Sequence, residues 1–381
     1  MDFTPILTSL TAQILLLLLA VAFVALVVEY TVKYFYLGYK ATKSQPADEN
    51  INEDLPPISV VIAIHNETEF LRKNLVYILE QNYPNFEVVV VDYLPTEESQ
   101  FVLKLCRENY PNLTVVNFEK DVNMYQGKKY PLSIGIKSAK NDMIVLTEVE
   151  SVPAGFNWLR NIAKSYTKPQ TNIVLGYNSV YDVKGLFGSM QRYDNLTYNA
   201  EYLVAAMRRH PFTGCGHNLS YRKGFFFSKG AFISHYTIRD GADDLFVNQN
   251  ATGRNTEVCL NKEGHVRMKG FDSLGAWRRY RRRRISTFRY HSFGEKMRRL
   301  MQWFELPVFY GTLLSLLLLH LMPWQILLGA FVLKTGWQIG AYAKLEQGFG
   351  EKGLCWLSPL YEIYFWLANT IMEIFPLRYK K

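Results

Sequence analysis

The chain has 381 residues, of which 49% are hydrophobic, 15% aromatic and 20% charged. That length allows roughly two domains of ~150 residues, and the composition excludes disorder and collagen-like repetition. Forty-three Lys and Arg against 34 Asp and Glu leave a net charge of +9, which attracts lipid head groups, nucleic acid or a phosphorylated substrate without choosing among them. Cys106, Cys215, Cys259 and Cys355 lie far apart with no C-x-x-C pair, which disfavours a disulfide framework and a zinc knuckle.

In chain order the first element is apolar. Ile14 to Val28 reads ILLLLLAVAFVALVV and Ile6 to Leu10 extends it, toward the ~20 residues that cross a bilayer. Ala20-Val21-Ala22 mimics a cleavage site, but the segment before it carries Asp2 and no Lys or Arg. A retained anchor over residues 1–42 is therefore expected. Lys33, Lys40 and Lys43 follow the anchor, and the cations from Arg278 to Arg299 precede the next apolar stretch, so the middle is expected to face the cytoplasm.

Residues 43–57, KSQPADENINEDLPP, read as a linker. Ile58 to Ile64 (ISVVIAI) is a continuous β-branched run, followed by a helical pattern from Glu69 to Gln81. A second run, Phe86 to Val91, closes on Asp92 and precedes a helix from Thr96 to Asn109. Further strands are expected at Leu113 to Phe118 and Met143 to Leu146. Unalternating strands separated by amphipathic helices indicate a parallel sheet buried on both faces, hence an α/β fold. In such folds ligands bind at the carboxyl ends of the strands, here His65 to Glu67, Asp92 to Pro95 and Thr147 to Ser151.

Several residues there carry chemistry. Asp92 can accept from a nucleotide base or ribose, or cap the following helix. Glu148 and Glu150 flank one residue, so in extended geometry they point the same way and can hold a divalent cation, although solvated carboxylates read the same. In DGADDL (Asp240 to Leu245), Asp243 and Asp244 are candidates for a general base or for a capping pair. Gly214 and Gly216 in FTGCGHNLSYRK let backbone approach a ligand, or merely turn the chain. Arg278, Arg279 and Arg281 to Arg284 form a cluster suited to phosphate or to anionic lipid. Nucleic-acid binding is not expected, because the cluster abuts an apolar hairpin and the usual binding modules are lacking.

The C-terminal part offers Phe304 to Leu321 and Pro323 to Tyr342, a hairpin expected to cross a membrane twice, with Lys334 facing protein or snorkelling. Leu354 to Phe375 is broken by Glu362, Asn369 and Glu373 and followed by Arg378, Lys380 and Lys381, so an interfacial helix is expected.

Taken in order, the pieces ISVVIAIHNE (Ile58 to Glu67), VVVVD (Val88 to Asp92), GKKYPLSIGIKSAKND (Gly127 to Asp142), TEVESVP (Thr147 to Pro153), GCGHNLSYRK (Gly214 to Lys223) and DGADDLFVNQNAT (Asp240 to Thr252) resemble the membrane-anchored family 2 glycosyltransferases with a GT-A domain. The likeness is greatest to bacterial members with one anchor before the domain and a hairpin after it. It divides the chain into an anchor (1–42), a linker (43–57), a GT-A domain (58–290) and a juxtamembrane, hairpin and interfacial region (291–381).

The resemblance implies that Asp92, Glu67, Lys128, Glu148 and Arg283 bind a nucleotide-sugar donor, uridine-linked, and that Glu150 with Glu148 holds Mg²⁺ or Mn²⁺. It puts Gly214, Gly216, His217 and Asn218 on the acceptor side and makes Asp244, beside Asp243, the base that deprotonates the acceptor hydroxyl. An inverting transfer to a lipid-linked or polysaccharide acceptor at the cytoplasmic face of the inner membrane follows for a multi-pass protein of this kind. The chain departs from the pattern where D-x-D is E-x-E, where Tyr93 replaces a second carboxylate, where Ala242 precedes the Asp pair, and where Tyr280 and Arg284 replace the Gln and Trp of the last basic motif. These departures keep open a second reading, a catalytically weak or silent nucleotide-sugar-binding subunit of a glycan-assembly complex.

Overall fold

The computed structural model describes residues 10–47, 55–65, 67–118 and 127–374. The start of the expected anchor (Ile6 to Thr8 with Asp2), the middle of the linker and the C-terminal cations lie outside the described residues. The chain forms two compact units, one from residues 44–291 and one from the two flanks.

In the unit of residues 44–291, β1 (Ile58–Ile64), β2 (Phe86–Tyr93), β3 (Leu113–Phe118) and β4 (Met143–Leu146) are parallel, and β1 is buried along its whole length. Between them run α1 (Thr68–Leu79), α2 (Glu97–Asn109) and α3 (Lys129–Ser138). After β4, the short strand β5 (Ser151–Pro153) leads to α4 (Trp158–Lys164), β6 (Ile173–Gly176) and β7 (Asn178–Tyr181). The long α5 (Gly185–Met207), β8 (Leu219–Arg222) and α6 (Lys223–Ser228) come next. Then follow α7 (Asp244–Asn250), β9 (Thr256–Cys259), β10 (Val266–Lys269) and α8 (Leu274–Ser286). The seven-stranded sheet has the order β3-β2-β1-β4-β8-β6-β9, and β5-β10-β7 make a second, smaller sheet. Ile58, Val60, Ile62, Val88, Val90 and Val145 meet Leu71, Leu75 and Trp158 in the core. This is a mixed α/β sheet of the GT-A kind: the strand pattern predicts the α/β class, the resemblance implies the GT-A fold, and β8 runs antiparallel in an otherwise parallel sheet.

Two features of this topology position the site. The parallel register, Ile64↔Asp92 and Val61↔Leu146, points the carboxyl ends of β1, β2 and β4 the same way, with β4 ending three residues short of β1. Antiparallel pairing of β8 with β4, Leu219 opposite Leu146, then brings the 214–218 segment beside the turn at Thr147 to Glu150.

The flanking unit is helical. One helix runs Leu10–Lys43 with a π-helical stretch at Tyr30–Phe35, and α9 (Phe293–Leu318), α10 (Trp324–Phe349) and α11 (Ser358–Ile374) complete it. Among the described residues, Leu10–Lys43 and Phe293–Leu318 are long and apolar enough to cross a membrane. The first helix of the hairpin begins at Phe293 rather than near Phe304, because the Ser292 side chain caps it by accepting from Glu295 N–H. Lys334 faces protein: it is fully buried, and its ammonium reaches Glu362 at 2.6 Å and Gln338 at 3.0 Å. Tyr30 donates to the other oxygen of Glu362 at 2.5 Å, so the pair ties three helices, as a buried charge requires. The last helix, expected at an interface, is built into this unit. Trp303 donates to Thr370 at 2.7 Å and Arg299 pairs with Glu373 at 2.7 Å.

Candidate active site

A cavity of about 710 Å³ opens at the carboxyl ends of the parallel strands. Each strand end supplies part of its wall: His65 and Glu67 after β1, Tyr93 and Leu94 after β2, Phe118 from β3, and Glu148 and Glu150 after β4. Lys128 enters from the start of α3, Gly216 and His217 from the loop before β8, Asp240 to Asp244 from the start of α7, and Arg279, Tyr280 and Arg283 from α8.

On one side the chemistry is an ion pair. Lys128 Nζ lies 2.9 Å from Glu148 Oε2. Burial alone would raise the Glu148 carboxyl, but the Lys128 ammonium, with His217 and Arg283 behind it, brings its pKa down to about 2. Burial works against the charged Lys128 as well, yet Glu148, Glu67 and Glu150 together hold it above the ordinary lysine range. Glu67 accepts the backbone N–H of His65, and burial lifts its carboxyl against the pull of Lys128. Glu148 and Glu150 offer the cavity hard oxygen donors of the kind that Mg²⁺ or Mn²⁺ takes. Among the described residues no third Asp, Glu, His or Cys joins them, so the remaining ligands of an ion there would be donor oxygens or water.

On the other side two carboxylates sit together. Asp243 Oδ2 accepts the Gly216 N–H at 2.6 Å. Burial and the neighbouring charge of Asp244 push the Asp243 carboxyl up. Asp244 is held by Thr213, whose Oγ1 lies 2.5 Å from Oδ1, and by His291, whose Nε2 lies 2.8 Å from the same oxygen. Beneath this loop Lys129 is buried and donates to the carbonyls of His235, Ile238 and Asp240 at 2.7, 2.6 and 2.9 Å. Gly127, at φ +133°, is required here, because a Cβ would meet the Arg239 carbonyl at 2.5 Å.

Three expected residues do not reach the cavity. Asp92 is 1% exposed and accepts from Ser99 Oγ at 2.6 Å, which braces the start of α2, while the N-cap of that helix is Thr96. Successive strand residues face opposite ways, and the residue delivered to the cavity is therefore Tyr93, whose ring stacks on His65 with centroids 4.9 Å apart. Asn218 is spent in the core, donating to the Tyr177 and Gly264 carbonyls and accepting from Trp158. Gly214 packs where a Cβ would meet Leu175 and Val247. The arginine cluster divides as well. Arg281 and Arg284 pair with buried Asp194 of α5 at 3.0 and 2.9 Å, which fixes α8 with Arg279, Arg283 and Arg284 lining the cavity and Arg281 turned away from it. Sequence reasoning missed Thr213, His291 and Lys129. The only available signals were the Thr213 position beside the glycines and the doubled lysine.

The fold is that of the GT-A glycosyltransferases. Residues 59–227 match the family model described as Glycosyl transferase family 2. The sequence is 20% identical over 164 residues to the poly-beta-1,6-N-acetyl-D-glucosamine synthase of Staphylococcus epidermidis, 42% of this chain and 38% of the relative. The chain thus spans well under half the length of the curated relatives it matches. A solved structure of the mannosyltransferase PcManGT from Pyrobaculum calidifontis, in complex with GDP-Man and Mn²⁺, superposes with a TM-score of 0.58 at 18% identity, covering 95% of this chain and 98% of that one. S. aureus TarS 1-349 in complex with UDP-GlcNAc gives 0.43 at 15% identity, covering 77% and 89%.

Proposed function

We propose that the chain transfers a sugar, with inversion, from a uridine-linked nucleotide donor to a lipid-linked or polysaccharide acceptor at the cytoplasmic face of the inner membrane. The observation that carries this reading is the convergence of Lys128, Glu148, Glu150, Arg283, Asp243 and Asp244 on one cavity. Lys128 and Arg283 face the departing diphosphate, and Asp244 takes the proton of the acceptor hydroxyl as that oxygen attacks the anomeric carbon from the opposite face. Glu150 with Glu148 would hold Mg²⁺ or Mn²⁺, which when bound neutralises diphosphate charge. The helices Leu10–Lys43 and Phe293–Leu318 support membrane attachment, and Lys33, Lys40 and Lys43 support the cytoplasmic orientation.

Purified chain in detergent is expected to release UDP from UDP-GlcNAc in the presence of Mn²⁺. The Lys128–Glu148 pair, which occupies one of the two carboxylates, favours the second reading, a binding subunit without turnover. Tight nucleotide-sugar binding by calorimetry with no release under any metal would select that reading and reject the first.

A further inference from the structure

The motifs that carry the resemblance end at Thr252 and the family match ends at residue 227, yet the candidate base is gripped by a residue outside both. We propose that His291 is a positioning residue for the transfer, holding the Asp244 carboxylate so that one of its oxygens stays open to the acceptor hydroxyl. This rests on Asp244 being the base.

His291 Nε2 and Thr213 Oγ1 lie 2.8 and 2.5 Å from the same oxygen, Oδ1. Two donors on one oxygen fix the rotation of the carboxylate and satisfy that oxygen, which leaves Oδ2 to accept a proton. Asp244 and Thr213's neighbour on the hydrogen-bond path, Tyr198, line the cavity, whereas His291 does not. The imidazole stands behind the carboxylate, 6% exposed. Its ring sits between Phe212 and Phe288, with centroids 6.2 and 5.0 Å away. Its other nitrogen, Nδ1, is buried with no hydrogen-bond partner among the described residues, so the ring's polar contact is with Asp244 alone.

The step balances without a further reagent. The acceptor O–H bond breaks and its proton passes to Asp244 Oδ2. The new bond forms from acceptor oxygen to the anomeric carbon, and the bond from that carbon to the diphosphate oxygen breaks, its electron pair leaving with the diphosphate. His291 keeps its proton throughout, which makes it a positioning group and not the base.

Two measurements test this on the full chain in detergent. With ¹⁵N-histidine labelling, His291, identified by its loss in His291→Gln, is expected to show the Nε2-protonated tautomer, with a signal that shifts in Asp244→Asn and Thr213→Val. An Nδ1-protonated ring that ignores both substitutions overturns the proposal. With UDP-GlcNAc, His291→Phe is expected to cut turnover on the order of 10- to 100-fold with donor KM unchanged. His291→Gln, which keeps an N–H donor, is expected to restore part of the loss. In an Asp244→Asn background, His291→Phe should cost nothing further. Equal losses in both backgrounds reject action through Asp244. Native turnover in Asp244→Asn alone rejects the base assignment, and with it the role of His291 in the reaction, while the spectrum still reports whether the hydrogen bond exists.

Discussion

Two half-buried carboxylates in one cavity titrate in opposite directions. Glu148 is brought down to about 2 while Asp243 is pushed up. Burial raises both, so the difference lies in the neighbour: an ammonium 2.9 Å from Glu148 and a second carboxylate next in sequence to Asp243. The donor side of the cavity therefore keeps fixed, compensated charge at any physiological pH. The acceptor side holds two carboxylates in tension, relieved by N–H and O–H donors from Gly216, Thr213 and His291. The proposed transfer, with a diphosphate bound on one side and a proton accepted on the other, would use this division.

The strongest way to break the comparison is to neutralise the acceptor side. Asp244→Asn removes the proton acceptor and keeps the volume, and a loss of about 10³-fold in nucleoside diphosphate release is expected with donor affinity retained. On the donor side, Lys128→Met strips Glu148 of its cation and is expected to weaken UDP-GlcNAc binding about 100-fold by calorimetry. The division itself is sharpened by acid unfolding. Because Glu148 titrates below its ordinary 4.5 in the folded chain, the unfolded chain binds the extra proton first. Its contribution is full above pH 4.5 and lost as pH falls toward 2. Glu148→Gln should flatten the fall in stability between pH 4.5 and about 2, by about 1 kcal/mol, in urea melts, and leave the region above pH 5 flat.

How far the sequence reveals this division depends on the kind of signal each residue leaves. Ile58–Ile64 and Phe86–Tyr93 announce buried strands because unalternating β-branched runs have few other uses, and Glu148, Glu150, Asp243, Asp244, Lys128 and Arg283 follow from motif order. Asp92 misleads because both of its offered roles, base acceptor and helix cap, sit at a strand tip. It takes neither: the pleat turns Tyr93 to the cavity, and Thr96 caps the helix while Asp92 holds the Ser99 hydroxyl. Asn218 lies next to a residue that does line the cavity, and one step along the turn before β8 sends it to the core. His291 and Thr213 are 78 residues apart in sequence (291 − 213) and meet only on Asp244, a juxtaposition no local pattern encodes. Arg281 and Arg284 read as two more guanidiniums of a basic run until the helix periodicity brings them to Asp194.

The smallest expected effect separates a local slackening from loss of the fold. Lys129 is buried, and burial lowers its pKa to about 8 although Asp240, Asp243 and Asp244 oppose the shift. Below that pH its three N–H groups match the carbonyls of His235, Ile238 and Asp240 one to one. As pH rises through about 8 the amine keeps only two, and one carbonyl of the loop that leads to the Asp pair goes unserved. Turnover is expected to fall about threefold on this alkaline limb. The global sign is opposite. A lysine titrating at about 8 folded and 10.5 unfolded leaves the unfolded chain with more bound protons between those values, so its contribution to stability rises with pH there. Activity should therefore decline between pH 8 and 9 with no fall in the thermal unfolding temperature traceable to this residue. Lys129→Arg stays charged throughout and should move the limb above pH 10. A limb unmoved in Lys129→Arg would assign it to another group and leave the loop clamp a purely structural feature.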